Sequence, residues 1–322
     1  MKIRANGIEI EVEDTAEINP QDTDAYTRPV VLLIMGLGMQ LVAWPQSFIE
    51  ALVDAGYRVI RLDNRDIGLS QHFDHLGTPN LLWAGLKYKL GLRVRSKYTL
   101  HDMACDALGV LDVLGVGRAH VVGVSMGGMI AQRVAIAAPQ RVISLTSIMS
   151  SSGAKNLPQP QPEVTRVLLS RPASTAPEAV VDHYVKLFTA IGSPAYPTPE
   201  PELRERILQG VQRSYHPQGT MRQMLAVVAD HTRPAELARI TCPTLVLHGK
   251  ADPLVPFLHG EDTANRIAGA QLVGIEGMGH DLPPEPVSQM LDALIPHLRA
   301  AEPAPPYIAP SRTVPLASLS TL

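Results

Sequence analysis

The segment that most limits the fold is an apolar strand that turns into a helix across a single serine. Ala119-His120-Val121-Val122 reads as a buried strand and runs without a break into Gly123-Val124-Ser125-Met126-Gly127, after which Gly128-Met129-Ile130 opens a helix. Passing directly from strand to helix requires a sharp bend, and glycines around the serine remove the Cβ atoms that such a bend would bring into collision. The bend presents the Ser125 hydroxyl at the end of a strand. Only a fold whose strands finish at helix starts can carry it, and the rest of the chain has that alternation.

Residues 30–34 (Val-Val-Leu-Leu-Ile) form a continuous β-branched and apolar run, the pattern of a strand covered on both faces. Helical spacing over 48–55 leads to Gly56 and a second strand at 57–62. A helix over 100–114, the strand at 119–122, a helix over 129–138 and a strand at 142–149 follow. The alternation resumes as strand 244–248, helix 258–267, strand 271–275 and helix 287–298. The fold class is therefore α/β, a mostly parallel sheet with helices on both faces. Its core comes from two blocks, 1–150 and 238–299. Between them, 151–237 reads as a helical insertion over the carboxyl ends of the strands, its connections broken by prolines from Pro158 to Pro201. Residues 300–322 read as a proline-rich flexible tail, with Pro303, Pro305, Pro306, Pro310 and Pro315 among small polar residues.

Composition narrows the partners. Lys and Arg number 28 against 31 Asp and Glu, a formal charge of −3, without the basic excess that binding nucleic acid demands. Cys105 and Cys242 are the only cysteines and lie in no CxxC or Cys/His spacing, so neither a disulfide framework nor a zinc site is expected. Residues 1–17 carry Glu9, Glu11, Glu13 and Asp14, and no apolar run reaches membrane-spanning length, so neither a signal peptide nor a span is expected. A cytoplasmic location fits these features. No metal, nucleotide or flavin signature occurs, and no cofactor is implied. The sequence does not indicate an oligomeric state.

A serine hydroxyl becomes a useful nucleophile only when a base removes its proton, and the base needs an orienting acid. Both are available downstream, each just after a strand. His280 lies in the glycine-rich segment Gly277-Met278-Gly279-His280-Asp281, and Asp252 lies in Gly249-Lys250-Ala251-Asp252-Pro253. Asp281 and Glu276 are the substitute acids, although Asp281 adjoins His280 and its side chain is expected to point away from the ring. Acyl transfer also needs two N–H donors for the developing oxyanion. One is the backbone N–H of Met126. The other is expected from the loop after the first buried strand, Met35-Gly36-Leu37-Gly38, with Leu37 N–H as the candidate.

These segments, with Asp63-Asn64-Arg65-Asp66-Ile67-Gly68, make the chain resemble the α/β-hydrolase superfamily over about residues 20–299. It is especially similar to capped bacterial carboxylesterases and to anthracycline methyl esterases. Met35-Gly36 stands where the family often has His-Gly, and Asp66-Ile67-Gly68 where it often has Gly-x-Gly. The resemblance implies a serine hydrolase acting through an acyl-enzyme on Ser125, with a small-molecule ester as substrate. Asp63 and Arg65 are expected to brace their loop. A serine at position 125 excludes the relatives that use an aspartate nucleophile. Cofactor-free haloperoxidases (perhydrolases) and carbon–carbon bond hydrolases share the Ser/Asp/His set, and some proteins of this fold are non-catalytic small-molecule receptors, so these alternatives stay open here.

Two segments bear on the substrate. Val167, Leu168, Tyr184, Leu187, Phe188, Ile191, Met221, Met224 and Leu225 suggest an apolar acyl pocket for a small or medium hydrophobic ester portion. Residues 76–99 combine Leu82, Trp83, Leu86 and Leu90 with Lys87, Lys89, Arg93, Arg95 and Lys97, and no acid occurs between Asp74 and Asp102. Such a segment can lie on anionic lipid. The expectation, however, is that its apolar face packs on the inserted helices and its charges are solvated.

Overall fold

The computed structural model describes residues 1–17, 22 and 24–302. Among the described residues eight strands form one sheet: β1 (Lys2–Ala5), β2 (Ile8–Asp14), β3 (Val30–Ile34), β4 (Arg58–Leu62), β5 (Ala119–Val124), β6 (Val142–Ile148), β7 (Thr244–Gly249) and β8 (Gln271–Ile275). Their order is β1-β2-β4-β3-β5-β6-β7-β8. From β4 to β8 every neighbouring pair is parallel, while the β1–β2 and β2–β4 pairs are antiparallel. The β1–β2 hairpin adds to the expected strands. Its turn is Asn6-Gly7, both residues at positive φ, which suits the right-handed twist of paired strands.

The helices are α1 (Gln46–Asp54), α2 (Leu81–Lys89), α3 (Leu100–Val113), α4 (Met126–Ala137), α5 (Pro162–Leu168), α6 (Pro177–Ile191), α7 (Glu200–Arg213), α8 (Pro217–Ala229), α9 (Arg233–Glu236), α10 (Leu258–Arg266) and α11 (Pro284–Ala301). The residues of β3 alternate between two cores, which explains their unbroken apolar run. Val30, Leu32 and Ile34 join Leu100, Val110, Ile130 and Val134 of α3 and α4. Val31 and Leu33 join Phe48, Leu52, Val287 and Leu294 of α1 and α11 on the other face.

Between β6 and β7 the chain forms α5 to α9. Several prolines of this stretch open helices instead of breaking connections: α5, α6, α7 and α8 each carry proline in their first two positions, where the missing N–H is not needed. Val181, Val185, Leu203 and Ile207 give α6 and α7 a small core of their own. At the other end α11 runs through Ala301, so Ala300 and Ala301 are helical and not tail. Glu302 caps this helix, and the rest of the expected tail, 303–322, lies outside the described residues.

One packing expectation is overturned. Helix α2 does lie against α8, but its buried residue is Ala84, and Leu82, Trp83, Leu86 and Leu90 are 84%, 55%, 46% and 64% exposed. Helical periodicity fixes which residues share a stripe, not the direction in which the stripe points. Here Ala84 is the buried residue of α2, and the bulky stripe is turned outward. Among the described residues no helix is long and apolar enough to cross a membrane.

Candidate active site

Sheet register gathers the candidate residues. Ile34 pairs with Gly123, Val124 with Ile148, Ile148 with Leu247, and Gly249 with Ile275. The strands thus end level with one another, and residues 35–38, Ser125, Asp252 and His280 all follow carboxyl ends on one edge, where open α/β sheets hold their ligands.

Ser125 has φ 55° and ψ −118°, a conformation that costs a non-glycine residue about 1–3 kcal/mol and persists only when its surroundings enforce it. The enforcing contacts are visible. Its N–H donates to Ile148 O at 2.9 Å, and the Ser150 hydroxyl donates to Ser125 O at 2.6 Å. A Cβ at Gly123 would meet Gly127 O at 2.1 Å, and one at Gly127 would meet Ile34 O at 2.0 Å. Both glycines are required by close packing of backbone on backbone, since neither has a positive φ.

The structure brings the three candidate side chains into one row. Ser125 Oγ lies 3.0 Å from His280 Nε2, and His280 Nδ1 lies 2.7 Å from Asp252 Oδ2. A carboxylate only accepts, so Nδ1 carries the proton and donates to Asp252. Nε2 is then left as the acceptor facing the serine hydroxyl. The other oxygen of Asp252 accepts the N–H groups of Leu254 and Val255 at 2.9 and 2.8 Å, which fixes the carboxylate plane. The neighbouring acids are engaged elsewhere. Asp281 accepts from the Ser193 hydroxyl, and burial pushes its carboxyl above the usual range. Glu276 pairs with Lys250. Buried His248 donates from Nε2 to Val255 O at 2.7 Å and sits 3.7 Å from Asp252 Oδ2; burial lowers its pKa.

The loop after β3 lies beside the serine. A Cβ on Gly36 would stand 3.2 Å from Ser125 Cβ and 3.8 Å from Oγ. Gly38, at φ +69°, donates its N–H to Gln223 Oε1 at 3.0 Å. Among the described residues neither Leu37 N–H nor Met126 N–H has a protein acceptor, so both remain available to an incoming oxygen. The start of α4 at Met126 adds the positive end of a helix dipole.

The inserted helices hold both sides of this row. His280 N–H donates to Ile191 O at 2.7 Å, and Gly279 N–H donates to Ser193 Oγ at 2.9 Å. On α8, Gln223 donates to Arg65 O at 2.8 Å as well as accepting from Gly38. Arg222 forms a buried two-pronged pair with Asp66 at 2.6 and 2.7 Å. Burial acts to raise the Asp66 pKa, but the bonds from Arg222, Phe73 N–H and Tyr98 outweigh it and hold the carboxyl below its ordinary value. Asp63 takes N–H groups from Leu41 and Leu69 and a guanidinium from Arg213, while Arg65 pairs with Asp106. Asp63 and Arg65 brace their loop, as expected from the sequence. Gln223, Arg222 and Ser193 were not legible there, because their partners stand 185, 156 and 86 residues away with no local motif to mark them.

Of the residues expected to line an acyl pocket, Tyr184 and Phe188 pack against the core of α6 and α7, and Ile191 is buried, its carbonyl holding His280. A cavity of about 360 Å³ opens beside the His280 loop between Phe188, Leu203, Arg206, Pro253 and Asp281. One His/Asp group among the described residues could be considered for a metal, His72, Asp74 and His216, with ligand atoms within 4.8 Å of one another. Its two imidazoles stack at 3.9 Å and 6°, so their in-plane lone pairs do not converge, and the Arg222 guanidinium lies 3.0 Å from His216 Nε2. That arrangement does not fit a cation.

Comparison with known proteins agrees with this architecture. Residues 29–177 match the model of the alpha/beta hydrolase fold family, and 221–298 match that of TAP-like proteins. The rhodomycin D methylesterase of Streptomyces sp. strain C5 is 32% identical over 290 residues, covering 84% of this chain and 91% of its own. The chain belongs to the α/β-hydrolase family. A second relative in this family, the 2-hydroxy-6-oxononadienedioate/2-hydroxy-6-oxononatrienedioate hydrolase of Cupriavidus pinatubonensis, is 29% identical over 82% of this chain and 84% of its own. Among solved structures, the meta-cleavage product hydrolase of Pseudomonas fluorescens superposes with a TM-score of 0.71 at 18% identity, covering 94% of this α/β hydrolase and 98% of that chain.

Proposed function

We propose that this α/β hydrolase is a serine-dependent carboxylic ester hydrolase. The observation that carries the reading is the hydrogen-bonded row Ser125–His280–Asp252 at 3.0 and 2.7 Å. In the forward step His280 Nε2 takes the Ser125 proton as Oγ attacks the ester carbonyl carbon. The carbonyl oxygen gathers negative charge and is met by the N–H groups of Leu37 and Met126. Collapse of the tetrahedral species breaks the bond to the alcohol oxygen, which receives the proton from His280, and leaves an acyl group on Ser125. Water, deprotonated by the same imidazole, then releases the acid and restores the serine. Asp252 holds the Nδ1–H tautomer and stabilises the imidazolium formed in each half.

The similarity to rhodomycin D methylesterases favours a methyl ester, and the apolar Phe188 and Leu203 lining the cavity beside the His280 loop suit a hydrophobic acyl portion. Carbon–carbon bond hydrolysis uses the same residue types, and one relative at 29% identity is named a 2-hydroxy-6-oxononadienedioate/2-hydroxy-6-oxononatrienedioate hydrolase. A panel of methyl esters of graded acyl size beside a 2-hydroxy-6-oxo-dienedioate separates the two. Faster turnover of the esters is expected, and the reverse ranking would move the assignment.

A fluorophosphonate probe should label wild-type protein at Ser125. The Ser125→Ala variant should fold normally, take no label and lose essentially all turnover. Labelling at another serine, or comparable turnover by the alanine variant, would sink the mechanism.

A further inference from the structure

Helix α2 and the chain that follows it carry a surface that the active site does not use. At about 100° per residue, Leu82, Leu86, Leu90 and Trp83 fall within an arc of roughly 100°. That arc lies opposite Ala84, the buried residue of α2, which packs against α8. All four side chains are exposed, as is Leu92 beyond them. Lys87 and Lys89 flank the arc, one on each side, and Arg93, Arg95 and Lys97 follow. Among the described residues none of these five cations pairs with a carboxylate, and no acidic residue occurs between Asp74 and Asp102. In a chain of formal charge −3, this segment gathers five positive charges without a carboxylate partner next to an exposed apolar stripe, Lys87 lying over the Trp83 ring at 5.5 Å.

A convex ridge of leucine and tryptophan edged by lysines matches the boundary between lipid headgroups and acyl chains. There the apolar side chains leave water, while the ammonium and guanidinium groups stay among phosphates. A second copy of this chain is a poor occupant, because a two-fold contact would set five cations against five. We propose that α2 and residues 90–97 dock this protein on an anionic lipid surface. Leu82, Trp83, Leu86 and Leu90 enter the acyl boundary, and Lys87, Lys89, Arg93, Arg95 and Lys97 meet the headgroups. Docking is independent of which bond the active site breaks.

The test uses the full chain with vesicles of phosphatidylcholine alone and of equal phosphatidylcholine and phosphatidylglycerol. Co-sedimentation with the anionic vesicles at low ionic strength is expected, weakening as salt rises. The chain has two tryptophans and Trp44 is buried, so a blue shift of emission on binding reports Trp83. Replacing Lys87, Lys89, Arg93 and Arg95 together by glutamine should weaken binding by about fivefold per charge. A Leu82→Ser, Leu86→Ser, Leu90→Ser variant should lose both binding and shift. Unchanged hydrolysis of a small soluble ester shows that both variants are folded. No binding to anionic vesicles at low salt overturns the assignment, and so does equal binding by the glutamine variant. A lipid-free dimer that the serine variant turns into a monomer would give the ridge to a second copy instead.

Discussion

Asp252 and Asp281 both stand near His280, yet only one of them reaches its ring. Asp252 accepts from Nδ1 at 2.7 Å, whereas Asp281 accepts from the Ser193 hydroxyl. In Asp252→Asn the amide oxygen stays with the Leu254 and Val255 N–H groups and the amide NH2 faces Nδ1, so on the proposed mechanism kcat should fall by roughly 10³ to 10⁴ with little change in thermal stability. Asp281→Asn keeps an acceptor for Ser193 and should lower kcat far less. Steady-state kinetics on one soluble ester rank the two, and a larger loss from Asp281→Asn would transfer the role of the acid. Ser125, Asp252 and His280 could be picked out from the sequence because each follows an apolar strand in a turn rich in glycine or proline. Ser193 could not, since its value lies in a contact with Gly279 across 86 residues that no periodicity encodes.

The strands and most helices were readable because burial on two faces writes itself as apolar runs and helical spacing. The boundaries moved by a few residues: α4 starts at Met126, directly on the bend at Ser125, and α11 starts at Pro284, whose fixed φ suits a first helical position. The orientation of α2 was not readable, because its stripe is the same whether it faces core or solvent. Besides its Arg222 and Gln223 contacts, helix α8 makes one very close backbone approach to the loop. A Cβ at Gly219 would lie 1.9 Å from Asp66 O, so Gly219→Ala forces the helix away from the loop at residues 63–70. The expected cost is about 1–3 kcal/mol by urea unfolding, in the range of overpacked sites. Because Gln223 rides on the same helix and holds Gly38, turnover of a soluble ester should fall as well. Unaltered stability would mean that α8 is not seated on the loop through this glycine.

At the scale of the whole molecule, several histidines are buried as neutral groups. His120 is the clearest: fully buried, with Nδ1 2.8 Å from Ser144 Oγ, it has its pKa lowered to about 4 by burial and by the nearby His297 and Arg118. An unfolded chain binds this proton near the ordinary histidine value of about 6.5, so the unfolded state holds more protons between the two values. The contribution of neutral His120 is therefore complete above about pH 6.5 and is lost as pH falls toward 4, by up to about 3 kcal/mol. His120→Gln removes the titration. The stability gap between wild type and variant, measured by urea unfolding at pH 7 and pH 4.5, should narrow on acidification, and a gap independent of pH would refute this account. The inserted helices have a different kind of influence, because Ile191 O holds the His280 backbone and Gln223 holds the turn beside Ser125. Engineers who graft such a segment from one relative onto another, hoping to exchange only specificity, would here be transplanting two struts of the reaction chamber. A working chimera of this enzyme has to carry matching residues at both junctions, or it will gain a new substrate preference and lose the machinery to act on it.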